Sequence, residues 1–433
     1  MAFADTLPDA VRKRSRFFAI FSTLFGCVPE IIVDSNSVLI IYIVMLGGSE
    51  VFSMFSSTVS SIATIFMLIP FAGVAARVGL KKTNSIACFL AGIAFLVMAA
   101  APYIGSWGCY LVLACLFLFA VTRPLYSSCW YPMLDFFLQS HERSPFFGRM
   151  RVTYMVFNTA LLFLYSKLLG ASPSMILIQC ILIFTGFMVV GRKYCIDQLP
   201  VDPASKAEDK LKIGNALGLC LKNSPLVGFS VYMCFLNIAF NAAAPLGVIY
   251  MKNYLHLGAN VIVFITTLEL IGKIAGYAVM NKIFKSCGMR FLIILTHVLA
   301  LAVCLLMFVS FPFFSKVTYL LGTAFFLSGV TGAFLLCISS MEMLALARPG
   351  NKIMAMAFCG TFSSLGVAVG RLGTTLVLAC TVLQTRWDVW GMELTKYHFL
   401  FAFFCLFILF SVILFPMVPA IISKHEDYYN PGK

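Results

Sequence analysis

The residues of this sequence that are best suited to chemistry are charged side chains inside long apolar stretches. There are three acids and three cations of this kind: Glu30, Asp34, Glu269, Arg123, Lys273 and Arg371. A charge in an apolar medium is costly unless it is paired or hydrated. An acid beside a cation can also take up a proton and release it when the surroundings of the pair change. The pattern therefore indicates paired charges that transfer protons or bind a charged ligand.

Two of the acids share one helical face. Glu30 and Asp34 are four residues apart, which places both carboxylates on the same side of a helix. Arg123 can pair with either of them if the two helices face a common cavity. We predict that Glu30 or Asp34 is a proton-coupling acid and that Arg123 is the cation that switches with it. The same acids could bind Na⁺, although H⁺ is the preferred coupling ion; alternatively, these charges are structural pairs that hold helices together.

A second set of charges lies in the other half of the chain. Glu269 and Lys273 are four residues apart in a favourable order, so this pair can simply neutralise itself. Arg371 has no acid nearby in the sequence. We predict that Arg371 and Lys273, with Glu269 beside them, bind an anionic group of a substrate. Polar residues complete the predicted substrate site: Asn36, Tyr126, Trp130, Asn237 and Asn241.

These charges stand out because the chain as a whole is apolar. Of its 433 residues, 61% are hydrophobic and 11% are charged, and the mean hydropathy is +0.96. A soluble domain has about 25% charged residues, so this chain has too little polar surface to fold in water and must lie in lipid. About 20 apolar residues span a bilayer. Twelve segments meet that requirement: residues 16–46, 50–75, 83–101, 107–137, 150–169, 173–190, 223–252, 258–281, 290–310, 316–346, 352–383 and 397–422.

The distribution of cations predicts the orientation of these spans. If the N-terminus is inside, 23 of the 31 Lys and Arg residues fall on inner segments and five fall on outer ones. This bias follows the positive-inside rule, so we expect both termini in the cytoplasm and place the protein in a bacterial inner membrane. The net charge of +14 is then explained by orientation and by contact with anionic lipid. Nucleic acid is not an expected partner.

The chain divides into two halves of six spans each. A polar segment at 191–222 is predicted to be a cytoplasmic linker between an N-terminal bundle, 1–190, and a C-terminal bundle, 223–433. Features recur across it: Gly79 and Gly288 are 209 residues apart, and Asp135 and Glu342 are 207 apart. The outer turn at 46–48 corresponds to the region of 257–258 at a similar offset. Such recurrence is typical of transporters built from parallel repeats.

Three basic loops resemble those of the major facilitator superfamily. Ala72–Lys82 contains Arg-x-Gly-x-Lys-Lys, which matches the second half of the family's loop between helices 2 and 3, roughly G-x-L-A-D-R-x-G-R-K. The sequence departs from that pattern at Ala72, where the family has glycine, and at Ala76, where it has aspartate. The segments 141–151 and 348–352 are similar to the basic loops that follow helices 4 and 10.

The resemblance implies an all-α membrane protein with 12 transmembrane helices in two six-helix, pseudo-symmetric bundles. In that family the bundles rock about a central site, and helices 1, 4, 7 and 10 line the cavity. A family motif in helix 4 has an arginine at about the depth of Arg123 and links it to proton coupling. Here Pro124-Leu125-Tyr126 replaces the Gln-Gly that usually follows. The glycine-rich antiporter signature of helix 5 is missing from 151–169, which favours symport or uniport.

Residues at the predicted inner ends of the spans are candidates for gating. Acids there lie near cations of the basic loops, so ion pairs could close the cytoplasmic side. The alternative is that these cations only interact with helix ends. The predicted gating residues are Arg77, Gly79, Lys81, Asp135, Arg149, Arg290, Glu342 and Arg348.

The sequence therefore predicts a secondary active transporter for a small organic solute, with an anionic one preferred and proton-coupled symport by alternating access as the mechanism. Two alternatives stay open, a lipid-transporting or scramblase-like protein and a solute sensor that does not transport. Enzyme activity is not expected, since no nucleophile and base set, phosphate-binding loop or metal-ligand spacing is present. No cofactor or metal is predicted. The expected partners are the solute, the coupling ion and membrane lipid, and we expect a monomer.

Overall fold

A computed structural model describes residues 6–35, 37–201, 213–311, 316–346, 352–380, 386–389 and 392–419. Its first half is helical. The helices are α1 (Asp9–Asp34), α2 (Ser37–Met45), α3 (Glu50–Val78), α4 (Leu80–Met98), α5 (Gly108–Asp135), α6 (Ser140–Leu169) and α7 (Met175–Asp197), with a 3₁₀ helix at Ala101–Trp107.

The second half adds six helices and a small hairpin. The helices are α8 (Ile213–Leu221), α9 (Ser224–Asn253), α10 (Ala259–Phe308), α11 (Val317–Leu346), α12 (Lys352–Ala379) and α13 (Lys396–Ile413), with a 3₁₀ helix at Phe415–Met417. Strands β1 (Arg386–Val389) and β2 (Met392–Thr395) pair antiparallel, with Arg386 opposite Thr395. The sequence did not predict this hairpin.

Twelve helical segments of the described chain are long and apolar enough to cross a membrane, which confirms the predicted number of spans. Several boundaries differ from the prediction. The first predicted span, 16–46, is two helices, α6 begins at Ser140, α7 continues to Asp197, and α13 ends at Ile413. The predicted spans 258–281 and 290–310 both lie in α10, which breaks at Gly288. The break in the first span has a local cause. Asp-Ser-Asn-Ser at 34–37 is a run of short polar side chains that compete with the backbone for hydrogen bonds and so end helices.

The chain separates into two compact units. The first unit comprises Met1–Ser49 and Val59–Leu211, and the second comprises Glu50–Thr58 and Lys212–Lys433. Small residues allow helices to approach closely within each unit. In the second unit, a Cβ added at Gly366 or Gly370 of α12 would overlap carbonyl oxygens of Cys234 and Ile238 in α9. This pair of helices is thus in backbone contact.

Backbone angles support an internal repeat at the offset of 209. Gly79 and Gly288 both have positive φ, 98° and 77°, in the left-handed region that glycine adopts without steric cost. Gly47 has φ 80°, and His256, 209 residues later, has φ 51°. The structure therefore moves the counterpart of the first outer turn from the predicted 257–258 to His256.

Candidate functional site

The strongest charge pair in the first unit joins α1 to α5. Arg123 Nη1 donates to Asp34 Oδ1 at 2.8 Å, and Nη2 donates to Oδ2 at 3.0 Å. Such a two-point contact between guanidinium and carboxylate is stronger and better oriented than a single ion contact. The structure therefore brings together the acid and the cation that the sequence paired.

The position of Asp34 explains why a cation is needed there. Asp34 is the last residue of α1, where the helix dipole presents partial negative charge. A carboxylate at that end is unfavourable without a counter-charge. Arg123, from the middle of α5, offsets both the carboxylate and the helix end. The ion pair is partly accessible, with 30% of the Arg123 side chain and 52% of the Asp34 side chain exposed.

Glu30 lies one turn earlier on α1 and faces a different cation. Its Oε1 is 3.9 Å from Nη1 of Arg192 on α7. The sequence did not predict a role for Arg192, because it directly follows the sixth predicted span and resembles the other cations of the linker. A signal was present, since the buried positions of α7 continue at helical spacing through Arg192, Cys195 and Ile196. That periodicity places Arg192 on the buried face.

The guanidinium of Arg192 is held by two neighbours. Its Cζ lies 3.3 Å from the ring centroid of Tyr126, a cation–π contact. The second neighbour is Gly26, where an added Cβ would overlap the guanidinium. Tyr126 in turn stacks on Trp130 at 5.5 Å between centroids. Two predicted substrate residues, Tyr126 and Trp130, thus lie beside the charged cluster.

Three charged residues of the first unit, Glu30, Arg123 and Arg192, line a small cavity. Tyr126 and Cys88 are also part of its walls. The space open to the centre of a water molecule is about 20 Å³, enough for about one water. Pockets for drug-sized ligands measure about 300–1,000 Å³. The geometry therefore suits a proton, a water or a small ion.

The charges of the second unit are arranged differently. Lys273 Nζ lies 2.7 Å from Glu269 Oε1 within α10, with 33% and 17% of the two side chains exposed. A Cβ added at Gly332 of α11 would be 3.7 Å from Lys273 Cε, so the lysine stem runs along α11. The pair neutralises itself inside one helix, as the sequence allowed.

Arg371 of α12 binds backbone carbonyls. Its Nε donates to the carbonyl oxygen of Asn241 at 3.0 Å, and its Nη1 donates to that of Ser57. The carbonyl of Asn241 needs this donor because Pro245, four residues later, has no N–H to bond it. Arg371 therefore stabilises α9 at the place where Pro245 leaves the carbonyl of Asn241 without its helical hydrogen bond, which we call the proline site.

Two predicted substrate residues lie at the same place. Asn241 Nδ2 donates to Asn237 Oδ1 at 2.5 Å, and Asn237 Nδ2 donates to the carbonyl of Met233 at 2.6 Å. Asn237, Asn241 and Arg371 are thus brought together around the proline of α9. The remaining polar candidate, Asn36, lies outside the described residues.

The predicted gating residues are only partly described. Gly79 ends α3 with positive φ, and Lys81 Nζ donates to the carbonyl of Leu199 at 3.1 Å. Arg149 and Arg290 are exposed, whereas Glu342 is 1% exposed. The side chains of Arg77 and Asp135, and the whole of Arg348, lie outside the described part of the chain. The gating ion pairs stay a prediction.

Comparison with known proteins identifies the fold. The structure is similar to that of a variant of the nucleoside transporter NupG, with a TM-score of 0.72 at 13% identity, covering 94% of this chain and 99% of that chain. It is also similar to a D-xylose–proton symporter, with a TM-score of 0.71 at 12% identity and coverage of 95% and 98%. A POT family transporter in complex with a thioalcohol-conjugated peptide gives a TM-score of 0.65 at 11% identity, covering 93% and 96%. No protein-family model and no curated protein sequence matches the chain.

These similarities confirm the predicted fold class. The chain has the fold of major facilitator superfamily transporters, with twelve apolar helices of membrane-spanning length.

Proposed function

We propose that this protein of major facilitator fold is a secondary transporter that moves a small polar organic solute by alternating access, coupled to protons. The solved structures that it resembles include a nucleoside transporter and a D-xylose–proton symporter. The observation that carries the proposal is the charged cluster of the first unit, where Asp34 pairs with Arg123 and Glu30 faces Arg192. Glu30, Arg123 and Arg192 line a cavity of water size.

This cluster suits coupling because its ion pairs join different helices. Asp34 and Arg123 come from α1 and α5, and Glu30 and Arg192 come from α1 and α7. A conformational change that moves these helices changes the distance between each acid and its cation. The relative stability of the charged and protonated acid changes with that distance. Proton uptake and release can thereby follow the transport cycle.

The charge balance favours a neutral solute over the anionic one that the sequence suggested. Three of the cations already have close acceptors: Asp34 for Arg123, Glu269 for Lys273, and carbonyl oxygens for Arg371. The fourth, Arg192, faces Glu30 at 3.9 Å beside a cavity with room for about one water. An anion would have to displace one of these partners. A neutral polar solute can use Tyr126, Trp130, Asn237 and Asn241 without doing so. Nucleosides and pentoses are neutral solutes of this kind.

Uptake into proteoliposomes tests coupling. Proteoliposomes that contain the purified protein should accumulate a labelled solute when the external medium is made acidic. A protonophore should abolish the accumulation. A pH electrode should record alkalinisation of the medium when solute is added. Asp197→Asn, which removes a carboxylate that pairs with Lys193 within α7, is the matched control and should behave like the parent. Uptake that does not depend on the imposed pH gradient would indicate uniport, and the coupling proposal would be wrong.

The solute class is tested by thermal shift. Nucleosides, pentoses, amino acids and carboxylates are added to the purified parent and to Arg371→Ala. We expect a nucleoside or a pentose to raise the melting temperature of both proteins. If a carboxylate stabilises the parent and has no effect on Arg371→Ala, the anionic solute predicted from the sequence is correct instead.

A further inference from the structure

We propose that Glu30, and not Asp34, is the acid that takes up the proton, and that Arg192 is the positioning residue that holds Glu30 in its charged form. This assignment rests on the proposed function, since coupling requires one titrating acid. It adds Arg192, Gly26 and Tyr126 to the coupling site and gives Asp34 a structural role.

The geometry of Asp34 opposes proton uptake. Both carboxylate oxygens accept hydrogen bonds from Arg123. A proton on either oxygen would remove an acceptor and weaken a contact that a charged carboxylate makes best. The helix end at Asp34 keeps Arg123 in place in either case, because it offers partial negative charge of its own. Asp34 and Arg123 therefore form a fixed pair.

The geometry of Glu30 permits proton uptake. Its one ion contact among the described residues is Arg192 at 3.9 Å, beyond hydrogen-bond distance. Its side chain is 38% exposed and lines the cavity with room for about one water. A proton that reaches the cavity from bulk solvent as hydronium can pass to a carboxylate oxygen and leave water behind, without breaking a direct hydrogen bond. The loss of charge on Glu30 changes only its attraction to nearby cations.

The groups that face Glu30 come from several elements. Helix α5 contributes Arg123 and Tyr126, α7 contributes Arg192, and α4 contributes Cys88. On α1 itself, Cys27 and Asp34 are the neighbouring ionisable residues.

Two further helices meet α1, and the contacts described for them are neutral. Helix α6 makes a neutral contact, Thr23 Oγ1 with Met150 Sδ at 3.3 Å. The ionisable residue of α2, Tyr42, donates to the carbonyl of Met98. Among the described residues, Arg192 and Arg123 are thus the cations that line the cavity with Glu30, and Arg123 is already bound to Asp34.

Arg192 is built to respond to Glu30. The residue is 9% exposed, and its Nε has no hydrogen-bond partner in the described part of the chain. The ring of Tyr126 and the bare backbone of Gly26 contact the guanidinium and leave its Nε–H without a partner among the described residues. This donor, or Nη1 at 3.9 Å, can engage the charged carboxylate of Glu30 and release the protonated one.

Infrared titration of the purified protein in detergent tests the assignment without relying on transport. Acidification of the parent protein should produce the infrared band of a protonated carboxyl group. This band should be absent from Glu30→Gln and present in Asp34→Asn. In Arg192→Gln, the midpoint of this band should move by about one pH unit to higher pH, because a cation about 4 Å away no longer favours the carboxylate. Arg192→Lys should restore most of the parent midpoint.

Gly26→Ala provides a second variant in case Arg192→Gln does not fold. The added methyl would overlap the guanidinium of Arg192, so the charge stays in the protein but has to leave its present position 3.9 Å from Glu30. The midpoint should shift in the same direction. The matched control is Lys193→Gln, which removes the adjacent cation of α7 and leaves the midpoint unchanged, since Lys193 pairs with Asp197 at 2.8 Å.

A band that disappears in Asp34→Asn and persists in Glu30→Gln would overturn the assignment. A midpoint that stays at the parent value in both Arg192→Gln and Gly26→Ala would overturn the role of Arg192. Failure of the proposed function gives a different result, a parent protein whose infrared band behaves as expected but whose solute uptake ignores the pH gradient.

Discussion

The two units share a backbone register but differ in where they carry charge. Helix α5 begins at Gly108 and α11 at Val317, which are 209 residues apart, and the same offset relates the positive-φ glycines of the basic loops. At that offset Glu30 and Asp34 correspond to Ala239 and Ala243, and Arg123 corresponds to Gly332. These charges are therefore not part of the repeated scaffold.

The ion pairs also differ in what they connect. In the first unit they join α1 to α5 and α1 to α7. In the second unit, Glu269 and Lys273 lie on one helix, and Arg371 binds backbone carbonyls. A pair between helices responds when the helices move, whereas a pair within one helix keeps its geometry. The comparison supports the proposal that proton coupling belongs to the first unit, whereas the charges of the second unit give fixed support.

The largest expected effect comes from breaking the pair between helices. Arg123→Gln should lower the free energy of unfolding by about 3 kcal/mol, because two charge-assisted hydrogen bonds are lost and Asp34 keeps its charge at a helix end. Lys273→Gln is the matched variant of the second unit, and it should cost about 0.5 kcal/mol, as expected for an i,i+4 pair. Denaturant titration of the purified proteins measures both.

The double variant Asp34→Asn with Arg123→Gln supplies the control. It should be more stable than Arg123→Gln alone, since no unpaired carboxylate remains. Equal losses in Arg123→Gln and Lys273→Gln would remove the distinction between the two units.

A smaller effect is expected at the proline site of the second unit. Arg371→Gln should cost about 1–3 kcal/mol, because the carbonyl of Asn241 loses its donor. Pro245→Ala restores an N–H at the position that can bond this carbonyl within α9. In the Pro245→Ala background, Arg371→Gln should therefore cost about 1 kcal/mol less than in the parent. Melting curves of the four proteins complete the double-mutant cycle.

Strict additivity of the two substitutions would show that Arg371 does not act through this carbonyl. Its predicted contact with an anionic substrate would then be the better explanation of its position.

Sequence patterns captured the features that depend on apolar length and on local spacing. The twelve spans follow from runs of about 20 apolar residues, and the pairing of Asp34 with Arg123 follows from the cost of isolated charge in lipid. Gly79 and Gly288 indicated the register of the repeat, and both have positive φ.

Sequence patterns missed the features that depend on backbone acceptors and on helix ends. The acceptors of Arg371 are carbonyl oxygens, which every residue has, so only the spacing of Asn241 and Pro245 pointed to one of them. Arg192 was hidden because a cation just after an apolar run usually marks the end of a span. The hairpin at Arg386–Thr395 joins two strands of four residues, too short for alternation to identify them.

The smallest expected effect tests the correspondence of the two units at an offset of 209 residues. Gly47 and His256 occupy equivalent exposed turns with positive φ, and no other atom would come within 4 Å of a Cβ at Gly47. Gly47→Ala should thus cost about 1 kcal/mol, entirely from the left-handed backbone. His256→Gly should raise stability by a smaller amount, because relief of that strain is partly offset by the greater freedom of glycine in the unfolded chain. Melting temperatures that shift in the same direction for both variants would show that the two turns are not equivalent.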